Sequence, residues 1–211
     1  RKLGYIVVEK QFKPKSLIFA ADSKAEYVYL VREGRVKLFR QTEDGRETIV
    51  TILGPGDVFG EFVFGETVCH SVYAEAFGPA LICILPSRRF LQLLMTEPEI
   101  AVRILTNVGR RLSRSAYFIE NLSTYNIRLR FAKLLMCLVE EHGKDQLTDV
   151  ALNLKLTHQD LANMIATCRQ TATELINYFK NYGILSNVGK TLVVHRPQLH
   201  RALAEWQRLV G

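Results

Sequence analysis

Residues 4–90 alternate short β-rich apolar runs with turn residues. The runs are Ser16–Phe19, Tyr27–Val31, Arg35–Phe39, Glu47–Leu53 and Ala80–Leu85, and the separators are Glu33-Gly34, Glu43-Asp44-Gly45, Gly54-Pro55-Gly56-Asp57 and Gly78-Pro79. Short strands at this spacing, broken by Gly-bearing turns, predict an antiparallel barrel or jelly roll, which commonly encloses a ligand but can have a solid core. After Pro98 the apolar period becomes helical. Leu105, Val108, Leu112, Ser115, Ile119 and Leu122 follow spacings of 3, 4, 3, 4 and 3, a narrow seam of the kind that pairs helices. Such a seam predicts a parallel two-fold dimer with a twin helix, with packing on the chain's own roll as the alternative. Ser115 is its polar exception and needs a partner from a ligand or the twin chain.

Ser123-Thr124-Tyr125-Asn126 reads as a hinge and Ile127–Glu141 as a further helix carrying Leu129, Leu134, Leu135 and Leu138, ended by His142–Asp145. Val150–Leu154 follows as a strand. Then Leu161, Met164 and Ile165 form one apolar face, and Leu175, Ile176 and Phe179 another. Between them Ala166-Thr167-Cys168 is small enough for two helices to cross closely, as in a helix-turn-helix. Thr157 and Asp160 resemble a weakened capping box, and Gly183 suits the C-terminal cap of the second helix. Ile184–Ser186 and Thr191–Val194, around Asn187–Lys190, predict a two-stranded wing whose tip can place Lys190 near a phosphate. Pro197–Val210 reads as a helix packing through Leu199, Leu203 and Trp206.

That pattern leaves Arg169, Gln170, Thr173, Glu174 and Asn177 pointing outward from the second helix of the pair, side chains able to read base edges in a major groove. Taken alone, the segment also fits an ordinary helical hairpin in a core. Charge placement favours the DNA reader. The chain has 211 residues, 48% of them hydrophobic, and a net charge of +7. Residues 1–100 hold 13 Lys/Arg and 13 Asp/Glu, whereas residues 101–211 hold 15 and 8. The excess therefore lies in the half with the helix pair, as phosphate-backbone binding requires. A solvated basic surface or an anionic protein partner is the competing account.

Cys69, Cys83, Cys137 and Cys168 have no paired spacing; Cys83 and Cys137 sit in apolar runs as small hydrophobes. No disulfide framework or zinc site is signalled. No apolar run reaches membrane-spanning length and no signal-peptide pattern opens the chain, so a cytoplasmic protein is expected.

The order is β-roll, dimer helix, hinge, winged helix-turn-helix. With Gly56-Asp57-Val58-Phe59-Gly60-Glu61 after the strands and Arg110-Arg111-Leu112 in the long helix, the chain resembles the cyclic-AMP receptor / fumarate-nitrate regulator family over nearly its whole length. Leu152–Gln159 and Lys190–Pro197 are especially similar to the cyanobacterial nitrogen-control branch. The resemblance implies an α+β fold with a cyclic-nucleotide-binding-like roll (1–97), a dimerisation helix (98–123) and a winged helix-turn-helix domain (127–211). It also implies a homodimeric regulator that binds double-stranded DNA at a near-palindrome, and RNA polymerase as a partner if it activates.

The effector stays open. In the family's cyclic-AMP binders a Gly-Glu pair engages the ribose and an Arg-Ser pair takes the cyclic phosphate. Gly60 and Glu61 match, but His70-Ser71 stands in the second place. A neutral His is a poor substitute for the fixed bidentate charge of Arg. Ser115 falls at the family's adenine-contacting hydroxyl, with Ala116 replacing the second one. A 2-oxoglutarate reading would use Arg111, with Arg114 one turn on, but Arg88 and Arg89 lie too far past the pocket loop to supply a second cation. A haem reading would use Cys69 and His70, although adjacent residues seldom bind one iron together. The N-terminal cysteine cluster of iron–sulfur members is absent from these residues. A constitutive protein would fill its roll with Phe62, Phe64, Tyr73 and Phe77.

The family's recognition helix typically opens Ser/Thr-Arg-Glu-Thr-x-x-Arg; here it is Cys168-Arg169-Gln170-Thr171-Ala172-Thr173-Glu174. By that resemblance Arg169 takes guanine O6/N7 and Thr171 a phosphate. Gln170 replaces the acid and suits adenine or, more loosely, cytosine. Glu174 replaces the second Arg, repels phosphates and can accept from a cytosine amino group. His158 and Gln159 begin the first helix of the pair, where backbone phosphates lie. No nucleophile–base pair, paired-carboxylate motif, phosphate loop or metal spacing appears, so an enzyme is not expected. The rival function is a β-roll small-molecule sensor acting through protein partners without DNA.

Overall fold

The structure, a computed structural model, describes residues 7–61, 68–122, 126–144, 148–189 and 191–208. Eight strands form the first half: β1 (Val8–Phe12), β2 (Leu17–Phe19), β3 (Tyr27–Glu33), β4 (Val36–Gln41), β5 (Glu47–Leu53), β6 (Val58–Phe59), β7 (Tyr73–Ala76) and β8 (Ala80–Pro86). They pair antiparallel into two sheets, ordered β1-β8-β3-β6 and β2-β7-β4-β5. Both sheets send alternate side chains into one core that includes Phe12, Phe19, Tyr29, Val31, Leu38, Phe59 and Ile82. The expected jelly-roll-like layering is present, with its interior occupied by aromatic rings.

Strand parity sorts the two faces of β4 and β7. Ala74 and Ala76 point into the roll core, so Tyr73 and Glu75 lie on the other face. There Tyr73 stacks on Phe39 with centroids 5.2 Å apart. Lys37 packs its ammonium 4.4 Å from the same Phe39 ring and bridges Glu47 (3.1 Å) and Glu75 (3.2 Å). Lys37 is only 6% exposed, a burial that a lone ammonium would not tolerate and two carboxylates permit. Tyr73 therefore does not fill the roll, contrary to the constitutive reading; Phe62 and Phe64 lie outside the described residues. Phe19, Tyr29, Phe59 and His70 fill it instead.

Two helices follow, α1 (Ser87–Thr96) and α2 (Pro98–Leu122). Helix α1 has little sequence signal: ten residues after a Pro, it packs through Phe90, Leu93 and Leu94. Those side chains pack with Val28, Leu85 and Ile104, so α1 and the start of α2 close one side of the roll. Ile104 belongs to one stripe of α2, while Leu105 (69% exposed), Val108 and Leu112 (71% exposed) form another, open stripe. The seam is thus not spent on the chain's own roll along its described part; the side chains of Ser115, Ile119 and Leu122 lie outside the description. Two compact units divide between Leu112 and Ser113, inside α2 rather than at its start.

The second unit comprises α3 (Ile127–His142), β9 (Gly143–Lys144), β10 (Asp149–Leu152), α4 (His158–Met164), α5 (Arg169–Asn181), β11 (Leu185–Val188), β12 (Thr191–His195) and α6 (Arg196–Arg208). Of the predicted hinge only Asn126 is described; its side chain caps α3 by accepting from the Arg128 and Leu129 amides. Phe179 centres the core, meeting Phe131 edge-on at 4.9 Å and Trp206 at 5.3 Å. The expected wing β11–β12 continues into a four-stranded sheet ordered β11-β12-β10-β9. Three of its strands are pinned by one chain of side chains: Ser186 Oγ lies 2.9 Å from His195 Nε2, and His195 Nδ1 lies 2.7 Å from Asp149 Oδ1. Sequence spacing could not reveal this trio, because its members come from three separate strands.

Gly34, between β3 and β4, has φ +80, and a Cβ there would sit 2.2 Å from the Pro79 carbonyl oxygen and 2.7 Å from Ala80 Cα. Both obstacles are backbone, so the strands must separate to admit any side chain. Gly34→Ala should therefore destabilise the roll by more than about 2 kcal/mol, read from urea unfolding followed by Tyr and Phe environment signals. A loss below 0.5 kcal/mol, or roughly the scatter of neutral surface changes, would contradict this packing.

Candidate nucleic-acid interface

The helix pair begins at Thr157, whose hydroxyl accepts from the Asp160 amide (3.1 Å) while Asp160 Oδ2 accepts from the Thr157 amide (2.8 Å). Asp does here what Glu does in the standard box, so the cap is complete rather than weakened. After α4 the chain turns through Ala166 at φ +51. This left-handed conformation costs a residue with a Cβ about 1 kcal/mol or more. The turn is held by the Thr167 amide donating to Ala162 O (3.0 Å) and by Arg130 Nη1 donating to Ile165 O (3.1 Å). The role of Arg130 has no sequence signal, since nothing local links an Arg in α3 to a carbonyl 35 residues on.

The turn sets α5 so that Ala172, Leu175, Ile176 and Phe179 are buried while Arg169, Gln170, Glu174 and Asn177 are exposed. Helical periodicity makes these one statement: burying one stripe opens the opposite one. Thr171 is half-buried, and its hydroxyl lies 3.2 Å from Cys168 Sγ. That hydroxyl, with the free backbone amides of the helix start, holds the Cys168 thiol below its ordinary value. Thr173 is engaged on both sides: its hydroxyl donates to Arg169 O (2.9 Å), and its oxygen lies 2.9 Å from His158 Nδ1. One hydroxyl hydrogen serves one acceptor, so Nδ1–H of His158 donates to Thr173 and Nε2 is left for the surface. Gln170 Nε2 donates to Glu174 Oε1 across one turn (3.2 Å). Gln159 is turned back to Asn163 (2.7 Å). The structure thus brings His158, Arg169, Gln170, Thr173 and Glu174 to neighbouring positions on α4 and α5; Lys190 lies outside the described residues.

The residues expected to meet an effector are arranged differently from the expectation. Gly60 has φ +99 and approaches the Tyr29 ring. Glu61 is taken by Ser71, accepting from its amide (2.6 Å) and from its hydroxyl. His70 is 1% exposed and stacks on Phe19 with ring centroids 3.7 Å apart and planes 13° apart. Its Nδ1 lies 3.3 Å from Glu61 Oε2, without the geometry of a hydrogen bond to either ring nitrogen among the described residues. Burial lowers the imidazole from its ordinary 6.5, and the Glu61 carboxylate offsets part of that. A neutral, stacked His70 and a Glu61 already satisfied by Ser71 do not fit a cyclic phosphate and ribose. Cys69 is exposed where His70 is buried, so the dipeptide faces two ways and does not form one pair of iron ligands. Arg111 Nη1 donates to Val58 O (3.1 Å), tying α2 to β6 of the roll; Arg114 and Ser115 fall where side chains are outside the description.

A β-roll followed by a long helix and a winged helix-turn-helix defines a class of DNA-binding transcription regulators. The cyclic nucleotide-binding domain family model matches residues 9–97, and that of the Crp-like helix-turn-helix domain matches residues 129–208. The global nitrogen regulator of Synechocystis sp. is 30% identical over 193 residues, 90% of this chain and 85% of its own. The cAMP-activated global transcriptional regulator CRP of Pasteurella multocida is 29% identical over 186 residues, 88% of each chain. The solved structure of FixK2 from Bradyrhizobium japonicum superposes with a TM-score of 0.78 at 22% identity, covering 93% of this chain and 96% of that one. The chain belongs to the cyclic-AMP receptor / fumarate-nitrate regulator family, with similarity to its cyanobacterial nitrogen-control members.

Two outcomes follow from these sites. Ala166→Val, with a β-branched side chain at positive φ, should destabilise the helix pair by about 1–2 kcal/mol, whereas Ala166→Gly should cost nothing; denaturant titration of both variants checks the sign. At His70 the folded pKa lies below the unfolded one, so the unfolded chain binds more protons as pH falls below 6.5. The stability held above pH 6.5 should therefore drain away toward pH 5. His70→Phe, which keeps a ring against Phe19, should flatten that slope in unfolding curves taken across the same range.

Proposed function

We propose that the chain acts as a homodimer that reads a near-palindromic operator and is controlled allosterically through its β-roll. The observation that carries this reading is the open face of α5, where Arg169, Gln170 and Glu174 are exposed on a helix whose opposite stripe is fully packed. Arg169 takes guanine O6/N7, and Gln170, Thr171, Thr173, Glu174, His158 and Lys190 complete the DNA-facing set. Pairing of the exposed stripe Leu105, Val108, Leu112 with its copy, continued by Ile119 and Leu122, would set two such helices into successive major grooves about 34 Å apart.

In this scheme residues 1–97 sense, 98–123 dimerise and 127–211 bind DNA. Gly60, Glu61, His70, Ser71, Arg111 and Ser115 lie along the route from roll to dimer helix, and this reading disfavours cyclic AMP as the effector that biases them. The Arg111–Val58 bond supports such a route, because it links the strand before Gly60-Glu61 to α2 directly. The protein works in the cytoplasm and meets RNA polymerase where its operator position activates transcription.

Arg169→Ala should weaken binding to the selected operator by roughly 1–3 kcal/mol and relax one base position. Wild-type affinity should also fall steeply between two salt concentrations, as released counterions require. Fluorescence anisotropy on an operator duplex, with sedimentation of the complex, measures all of this. A monomeric complex would defeat the scheme, as would salt-independent binding or an Arg169→Ala variant with unaltered base preference.

A further inference from the structure

On the reading that α5 enters a major groove, we propose that Glu174 is a positioning residue rather than a base reader, and that by holding the amide of Gln170 it selects adenine over guanine at one position of each half-site. Gln170 Nε2 donates to Glu174 Oε1 at 3.2 Å, and both side chains are exposed on the open face of α5. A carboxylate only accepts hydrogen bonds, so the atom facing it must be the amide nitrogen, and the orientation of Gln170 is fixed by chemistry. Of the two amide hydrogens one is committed to Glu174. The free edge then presents one donor and one acceptor.

That edge matches adenine, which offers the N7 acceptor and the N6 amino donor. Guanine offers two acceptors, N7 and O6. A free glutamine can turn to donate both hydrogens to them, but one held by Glu174 would press its own oxygen against O6. The neighbouring hydroxyl does not compete for this role, because Thr173 is bonded to Arg169 O and His158. The pair therefore works as one reader, with Gln170 touching the base and Glu174 setting its direction. The negative charge of Glu174 is a cost near phosphates that the selectivity offsets.

The test is selection of half-sites from randomised duplexes by the full-length chain, followed by sequencing, for wild type, Gln170→Ala, Glu174→Ala and Glu174→Gln. Wild type should favour adenine over guanine by about tenfold or more at one position per half-site, and Gln170→Ala should erase that preference. Glu174→Ala should bring guanine to near parity at the same position, while Glu174→Gln, whose own amide oxygen can still accept from Gln170, should keep adenine. An adenine-to-guanine ratio unmoved in Glu174→Ala overturns the proposal, and so does a preference lost at a different base pair, which would make Glu174 a reader in its own right. Failure of the wild-type chain to enrich any motif overturns the DNA-reading assignment itself, whereas an enriched palindrome indifferent to Glu174 overturns only this inference.

Discussion

The open face of α5 exists because its other face is spent on Phe179. That ring is fully buried between Phe131 and Trp206, and its burial alone is worth about 1.5–3 kcal/mol. Once Phe179, Ile176, Leu175 and Ala172 are fixed inward, the 3.6-residue period leaves no freedom about which side chains face solvent. The turn at Ala166 then fixes α5 against α4, with Arg130 and the His158–Thr173 contact bracing the joint from either side. Removing the packing would free the helix to rotate, and every base contact assigned to Arg169 or Gln170 depends on its not rotating.

The sequence made the helix pair legible because its signals are local: a cap, two apolar stripes, small residues at the crossing and a glycine at φ +66 after the second helix. The same holds for β3, β4, β5 and β8, whose apolar runs are long. It failed where the signal is short or mixed. β1 is Val-Glu-Lys-Gln-Phe with four residues exposed, β6 has two residues, and β7 alternates alanines with Tyr and Glu. Parity in β7 was the consequential loss, because without it Tyr73 could be assigned to the wrong face of the sheet. Long-range pairs such as Arg130–Ile165 and Ser186–His195–Asp149 had no local trace at all.

The ring of His70 lies flat on Phe19 and extends the aromatic core that contains Tyr29 and Phe59. An arginine at that place would bring a permanent charge against the aromatic core, with the Glu61 carboxylate, 3.3 Å from the present imidazole, as its counter-charge. A neutral imidazole needs no counter-charge, and Glu61 accepts from the Ser71 amide and hydroxyl. The roll is thereby coupled to α2 through protein contacts, Ile104 on α1 and the strands below it and Arg111 on Val58 O, whatever else enters it.

Charge on the second half of the chain and charge on α5 pull in opposite directions. The seven excess positive charges lie in residues 101–211, which raises encounter with a phosphate backbone without choosing a sequence. On α5 the trend weakens: of the two places where the family's motif carries an acid and a second arginine, this chain carries Gln170 and Glu174, so the exposed charges of that helix are Arg169 and Glu174, with Lys180 half-buried in its last turn. On the proposed reading, attraction falls to the surrounding surface and the exposed start of α5 is left nearly neutral, where wrong bases would meet misplaced donors and acceptors rather than a forgiving excess of positive charge. Discrimination on that reading rests on geometry held by hydrogen bonds of known partner, which is the condition under which a few exposed side chains on one helix would define an operator.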